Sequence, residues 1–112
     1  MKVTTKRVLL SLGYRDTGIG TLWAKPFGNS LITFNWETGE ICNRFLTTNR
    51  EPAVYSSHTF DLSNDDLSVL ITQFEAYTRT DIPAGYTRDM GFLTPLQAAE
   101  FILDECEEGE HL

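Results

Sequence analysis

Residues 21–46, TLWAKPFGNSLITFNWETGEICNRFL, decide the fold. Three apolar runs, Thr21 to Phe27, Leu31 to Trp36 and Ile41 to Leu46, are each short enough for a strand and too short for a helix. Two polar breaks separate them. Gly28-Asn29 is a hairpin dipeptide, and Glu37-Thr38-Gly39-Glu40 turns the chain a second time. Within the middle run, Ile32, Phe34 and Trp36 alternate onto one face. Trp23 and Leu22 fall on opposite faces of the first run, and Pro26 marks a strand end or an edge position. Strands joined by such short turns pair as an antiparallel meander.

The flanking sequence extends the pattern. Upstream, Val8, Leu10 and Leu12 alternate with Arg7, Leu9 and Ser11, the spacing of a strand. Tyr14 to Gly20 is a polar loop. Downstream, Thr47 to Pro52 is a second polar loop, and Ala53 to Phe60 alternates as a further strand. The first half therefore reads as β-structure.

The second half reads as helix. Leu67, Leu70, Ile71, Phe74 and Tyr77 recur at helical spacing and define a helix over 64–78 with one face on the sheet. Ser63 stands at its N-cap, with Leu62 and Leu67 placed as a hydrophobic staple. A second helix starts at Thr94, with Pro95 in the first position and Gln97 completing a capping box. Leu96, Ala99, Leu103 and Cys106 form its stripe, widened by Phe101 and Ile102, and Gly109 stops it. Asp104 to Glu110 places five acids in seven positions at that helix's C-terminal end, where the dipole opposes anions. The expectation is an α+β domain: an antiparallel sheet of four to five strands, a meander, with two C-terminal helices packed on one face. The 112 residues make a single domain, 1–112, with an acidic tail over 104–112.

Composition narrows the class. A hydrophobic fraction of 41% with seven Phe and two Trp belongs to a globular chain. Cys42 and Cys106 are too sparse for a disulfide framework and read as reduced thiols of a cytoplasmic protein. The apolar run after Lys2, Lys6 and Arg7 is too short for a secretory signal, and no stretch has the length of a membrane helix.

Charge is the most informative feature for function. Residues 1–56 carry seven bases and four acids, a net +3, whereas residues 57–112 carry two bases and twelve acids, a net −10. A dense anionic surface repels nucleic acid and attracts basic partners. The candidate partner-binding residues are Asp65, Asp66 and Glu75 on the first helix and Asp104, Glu105, Glu107 and Glu108 on the second.

Motifs that suggest chemistry are weaker than this asymmetry. Asp16-Thr17-Gly18 resembles the signature of retroviral-type aspartic proteases, with an echo of their later segment at Arg88-Asp89-Met90. In that family the resemblance implies a dimer in which each subunit supplies one aspartate. Tyr14 and Arg15 before the motif, Ile19 after it and the helix between the two segments depart from the family, and the motif reads as a polar turn. Gly18-Ile19-Gly20 lacks the third glycine and the helix of a dinucleotide fingerprint. Asp61-x-Ser63-x-Asp65 begins like a calcium loop, but Asp66 and Thr72 stand where the loop needs Gly and Glu. Cys42, His58, Cys106 and His111 lack the close pairing of zinc ligands. His58 reads as a strand residue with its ring at the surface.

The reading is a small acidic, non-enzymatic protein that inhibits or shields a basic partner, such as a nuclease or nucleic-acid-binding complex. It needs no cofactor or metal and contacts neither nucleic acid nor membrane directly. Size and charge place it beside viral and mobile-element anti-defence inhibitors, of the anti-CRISPR and anti-restriction kinds, acting in the host cytoplasm. The alternatives are an immunity protein against a nuclease toxin, an enzyme centred on Asp16 or His58, and an assembly subunit using an aromatic sheet face at Trp23 or Trp36.

Overall fold

The computed structural model describes residues 1–63, 66–83 and 85–87. In chain order the elements are α1 (Val3–Ser11), β1 (Arg15–Asp16), β2 (Leu22–Phe27), β3 (Ser30–Asn35), β4 (Glu40–Leu46), β5 (Pro52–Thr59) and α2 (Leu67–Tyr77). The five strands form one antiparallel sheet in the order β1-β2-β3-β4-β5, an α+β meander. Strands β2 to β5 stand within a residue or so of the sequence reading.

Turn chemistry sets the registers. Between β2 and β3 a two-residue loop gives Phe27↔Ser30 pairing, and Gly28 takes the left-handed conformation at φ 62°. Between β3 and β4 the Asn35 Oδ1 accepts from the backbone N–H of Glu37 at 2.9 Å and of Thr38 at 3.2 Å, and the Thr21 hydroxyl donates to it at 2.7 Å. Phe34 then pairs with Ile41. A register shift at Asn43/Arg44 places Tyr55 as an extra residue of β5, a bulge in the edge strand.

The N-terminal segment corrects the strand expected at Val8–Leu12: it is helical from Val3 to Ser11. Helix is therefore not confined to the second half. Spacing explains the outcome. Leu9 is buried and Val8 and Leu12 are half-buried, all on one helical face, whereas Leu10, an inward residue of the strand reading, is 42% exposed. A Schellman motif ends α1: the Gly13 N–H donates to Leu10 O at 3.1 Å and the Tyr14 N–H to Leu9 O at 2.9 Å. Gly13 adopts φ 93°, and Leu9 and Tyr14 meet in the core, the apolar contact that accompanies this motif.

Helix α2 starts later than expected and lacks its predicted cap. Ser63 donates both its N–H, at 3.0 Å, and its hydroxyl, at 2.7 Å, to Asp61 Oδ1. The N-cap position belongs to Asp66, which makes no side-chain cap hydrogen bond. Asp61 outcompeted the helix for Ser63 because a carboxylate two residues upstream closes a local turn. On the helix itself Leu67, Ile71 and Phe74 are buried as expected, but Tyr77 is 79% exposed, so the apolar face stops one turn earlier. The second helix expected after Thr94 lies outside the described residues.

Both α1 and α2 pack on the same face of the sheet. Their core joins Leu9, Tyr14, Trp23, Ile32, Phe34, Ile41, Phe60, Leu67, Ile71 and Phe74. Burying each large side chain in that set stabilises the fold by about 1.5–3 kcal/mol. On the opposite face a smaller cluster centres on Ala24 and Leu31, flanked by Ile19, Leu22, Phe45 and Leu46. The chain leaving α2 is fastened to the sheet: the Asn43 amide donates to Thr78 Oγ1 at 2.8 Å and Arg79 O at 2.9 Å. Asn29 holds it further along, donating from Nδ2 to Ile82 O at 2.8 Å and Thr87 Oγ1 at 2.9 Å.

Gly28 sits against this returning segment, and a Cβ there would collide with the carbonyl oxygen of Thr80. Gly28→Ala should therefore cost more than the ~1–2 kcal/mol of a left-handed alanine. Gly18→Ala, equally left-handed but with open space around it, should cost only that strain. Urea denaturation of the two variants checks the contrast, and equal losses would disprove the close packing of residues 78–82 on the hairpin.

Candidate functional site

The residues singled out by motif fall into ordinary structural roles. Asp16 is exposed, and its Oδ1 accepts the Gly18 N–H at 2.9 Å. The Thr17 hydroxyl donates to Leu22 O at 2.8 Å and accepts the Ile19 N–H at 3.1 Å. Asp16-Thr17-Gly18 is thus a self-contained turn leading into β2. Cys42 and His58 lie on adjacent strands but on opposite faces. Ile41 of the helix-side core pairs with His58, and Cys42 pairs with Thr33 and Ser57 on the other face. They cannot act as a nucleophile and base. Burial pushes the Cys42 thiol up to about 11, with Arg44 lowering it and Glu40 raising it less strongly, so it stays protonated at neutral pH.

The aromatic interface reading also meets the structure. Trp23 is 5% exposed and belongs to the core beneath the helices, while Trp36 is half-buried against that core. Among the described residues the exposed aromatics are elsewhere: Tyr55 at 41%, Tyr77 at 79% and Tyr86 at 67% exposure. Tyr77 and Tyr55 are hard to read as surface features from sequence, because Tyr77 continues the helical stripe and Tyr55 continues strand alternation until the bulge removes it.

One cluster of ionisable groups is built into the fold. Glu75 of α2 accepts from Lys25 Nζ of β2 at 2.7 Å and from the Tyr14 hydroxyl at 3.1 Å, one on each carboxylate oxygen. Lys25 Nζ also stands 5.6 Å from the centroid of the Tyr14 ring, within cation–π range. Burial, followed by the charge of Glu75 and its hydrogen bond, holds the Tyr14 hydroxyl far above its ordinary range. The three groups satisfy one another and tie the end of α1, the sheet and α2 together.

Two of the candidate partner-binding acids, Glu75 and Asp66, lie among the described residues. Glu75, expected on an open anionic surface, points inward with a side chain 16% exposed and both oxygens engaged. Asp66 is exposed at the N-terminal end of α2. Asp65, Asp104, Glu105, Glu107 and Glu108 lie outside the described residues.

A shallow groove of about 350 Å³ runs between β5 and α2, lined by Ser57, His58, Phe60, Leu70, Phe74 and Tyr77 among others. His58 lies on its wall with its ring tilted 59° and 5.1 Å from Phe60. The strand beside it is the edge of the sheet and exposes Val54 and Tyr55. No group of three His, Cys, Asp or Glu able to hold a metal occurs among the described residues. Nor is any helix there long and apolar enough to cross a membrane. No family model, curated protein or solved structure matches the chain.

Two outcomes test the roles assigned here. Breaking the Lys25–Glu75 pair with Lys25→Met should cost roughly 1–3 kcal/mol, between the values for exposed and buried pairs. A double-mutant cycle with Glu75→Gln in chemical denaturation should give clear coupling, and zero coupling would make the contact incidental. Hydrogen bonds from Ser63 hold the Asp61 carboxyl below its usual value of 3.8. A depressed carboxyl stabilises the fold above its unfolded pKa, and that stability fades as pH falls through the folded value. Ser63→Ala should raise the Asp61 pKa in an NMR titration while leaving α2 intact. An unchanged pKa with a shortened helix would restore Ser63 as the cap.

Proposed function

We propose that this chain is a non-enzymatic binding protein that captures a basic protein partner and thereby inhibits or shields it. The observation that supports this reading is the partition of charge. Residues 57–112 carry a net −10 against +3 for residues 1–56, with five acids in seven positions over 104–110. A net field of one sign steers an oppositely charged partner and raises association rates by roughly 10–10³-fold at low salt. The acidic groups assigned to the partner are Asp104, Glu105, Glu107 and Glu108, together with Asp65 and Asp66. Glu75 is committed to Lys25 and Tyr14 and drops out of this set.

Small acidic inhibitors of nucleases and of nucleic-acid-binding complexes work through such surfaces, and the proposed setting is the neutralisation of one of these basic proteins. Anti-defence inhibitors and immunity proteins both fit that chemistry. The side chains with catalytic potential support binding over catalysis through what they touch: Asp16 closes its own turn, and Glu75, Lys25 and Tyr14 neutralise one another.

Affinity capture from the source organism or its host, read by mass spectrometry, identifies the partner. Association with that partner is then measured at about 0.1 M and about 1 M salt, where screening lengths are ~10 Å and ~3 Å. Reversing Glu105, Glu107 and Glu108 to Lys should slow association at least about tenfold at the lower salt. It should change thermal stability little, since surface charge changes shift it by only about 0.5 kcal/mol each. Reversal of Lys2, Lys6 and Arg7 is the control and should have less effect. Normal binding by the acidic triple variant and loss by the basic one would refute the proposal and direct attention to the β5 edge and its groove.

A further inference from the structure

Strand β5 leaves part of its backbone open to solvent. Among the described residues no strand lies beyond it, and Val54, Tyr55, Ser57, His58 and Thr59 are exposed. The ladder with β4 fixes which groups face outward. The Phe60 N–H donates to Gly39 O at 2.9 Å, so these two residues form a hydrogen-bonded pair. Antiparallel pairs alternate between bonded and non-bonded. His58↔Ile41 and Ser56↔Asn43 are then bonded pairs, and Thr59↔Glu40 and Ser57↔Cys42 are non-bonded. The N–H and C=O of Ser57 and Thr59 therefore point away from β4, and no partner meets them among the described residues. The same count from the Thr47 N–H to Glu51 O bond turns the nitrogen of Pro52 outward, where a proline costs no ladder bond. Natural edges are commonly shielded by charged side chains, yet Pro52–Thr59 holds no Lys, Arg, Asp or Glu. Pro52 and the bulge at Tyr55 interrupt the first half of the edge and leave 57–59 regular.

The surroundings of this edge name the occupant. Ser57 and His58 also line the groove toward α2, whose walls hold no Lys, Arg, Asp or Glu. A residue placed opposite His58 on an added strand shares its face and lies over Leu70, Phe74 and Tyr77. The Thr59 end is anionic. Glu40 pairs with Thr59 and its side chain is 52% exposed, and Asp61 stands exposed two residues further on. The base nearest Glu40, Arg44, is 3.8 Å away, 12% exposed and hydrogen-bonded to Thr33. Arg50 sits beside Glu51 at the opposite end of the strand, and Arg79 lies past the end of α2. A second copy is a poor match. Two β5 strands paired antiparallel about their middle bring Glu51 of one toward Asp61 of the other, and like charges across strands are destabilising. An extended segment with an uncharged middle and a base on one flank fits both the groove and the carboxylates.

We propose that the 57–59 edge of β5 is a docking site for an extended segment of a basic protein. The segment adds a strand to the sheet through the outward groups of Ser57 and Thr59. It sets an apolar side chain opposite His58 in the groove and a Lys or Arg beside Glu40 and Asp61. Main-chain bonds then supply affinity, and the groove and carboxylates supply specificity. The inference rests on the edge and its charges and holds whether or not Asp104, Glu105, Glu107 and Glu108 touch a partner.

Random peptides displayed on phage are selected against the full chain at about 0.1 M salt, and a selected peptide, resynthesised, is the probe. It should carry an apolar residue among strand formers and a Lys or Arg on one flank. Amide exchange is then read by NMR. The Ser57 and Thr59 N–H groups should exchange fast in the free chain and at least about tenfold more slowly with saturating peptide, whereas His58 and Phe60 stay slow throughout. Ser57→Pro removes one outward donor without taking a bond from β4 and should weaken binding about tenfold. Glu40→Lys with Asp61→Lys should weaken binding at about 0.1 M salt, and by less at about 1 M. If Ser57→Pro unfolds the chain, exchange in the unaltered chain decides. Four results each overturn the proposal: no peptide is selected; the selected peptides lack a base; Ser57 and Thr59 are already slow in the free chain; or they become slow only as the chain itself is concentrated, which would make a second copy the occupant. The peptide replaces the natural partner throughout, so this outcome is separate from that of the inhibitor reading.

Discussion

The structure depends on β3 being buried on both of its faces. Five of its six residues, Ser30 to Phe34, are buried, which is unusual for the middle of a small antiparallel meander. Ile32 and Phe34 face the helices, and Leu31 and Thr33 face the other way. A strand in that position cannot shift by one residue without exchanging its two sets of side chains. The short turns at Gly28 and Asn35–Gly39 hold it in place, and its neighbours inherit their registers from it. Among the described elements, α1 and α2 cover the face that carries Ile32 and Phe34.

The fastenings are polar and few. Glu75 bridges Lys25 and Tyr14, so the end of α1, the sheet and α2 meet at one carboxylate. Asn43, Thr78 and Ser56 form a second link where α2 ends, with Thr78 Oγ1 2.8 Å from the Asn43 amide and 2.6 Å from the Ser56 hydroxyl. Asn29 makes the third. These groups are spent on holding the body together.

Much of the fold was legible in the sequence, for reasons visible residue by residue. Strands β2 to β4 carry period-two patterns between strong turn formers, so local and tertiary preferences agree. The first helix was misread because Val8, Leu10 and Leu12 satisfy strand alternation as well as Thr5, Val8, Leu9 and Leu12 satisfy helical spacing. Gly13 followed by Tyr14, with Leu9 four residues before the glycine, was the signal that separates the two. Ser63 was misassigned because Asp61 competes for the same donors, a contest that capping patterns do not weigh. Glu75 looked like one more surface acid. Its inward role depends on Lys25, 50 residues away, and no local pattern reports such a partner.

The central claim is that the sheet is covered on both faces. It is tested most directly by the relaxation that a dissolved gadolinium chelate imposes on methyl resonances of the intact chain. The account predicts that Ala24 and Leu31, on the second face, are as protected as Ile32 and Ile41 beneath the helices, while Val54 and Val69 relax strongly at the surface. Ala24 and Leu31 relaxing like Val54 and Val69 would contradict it.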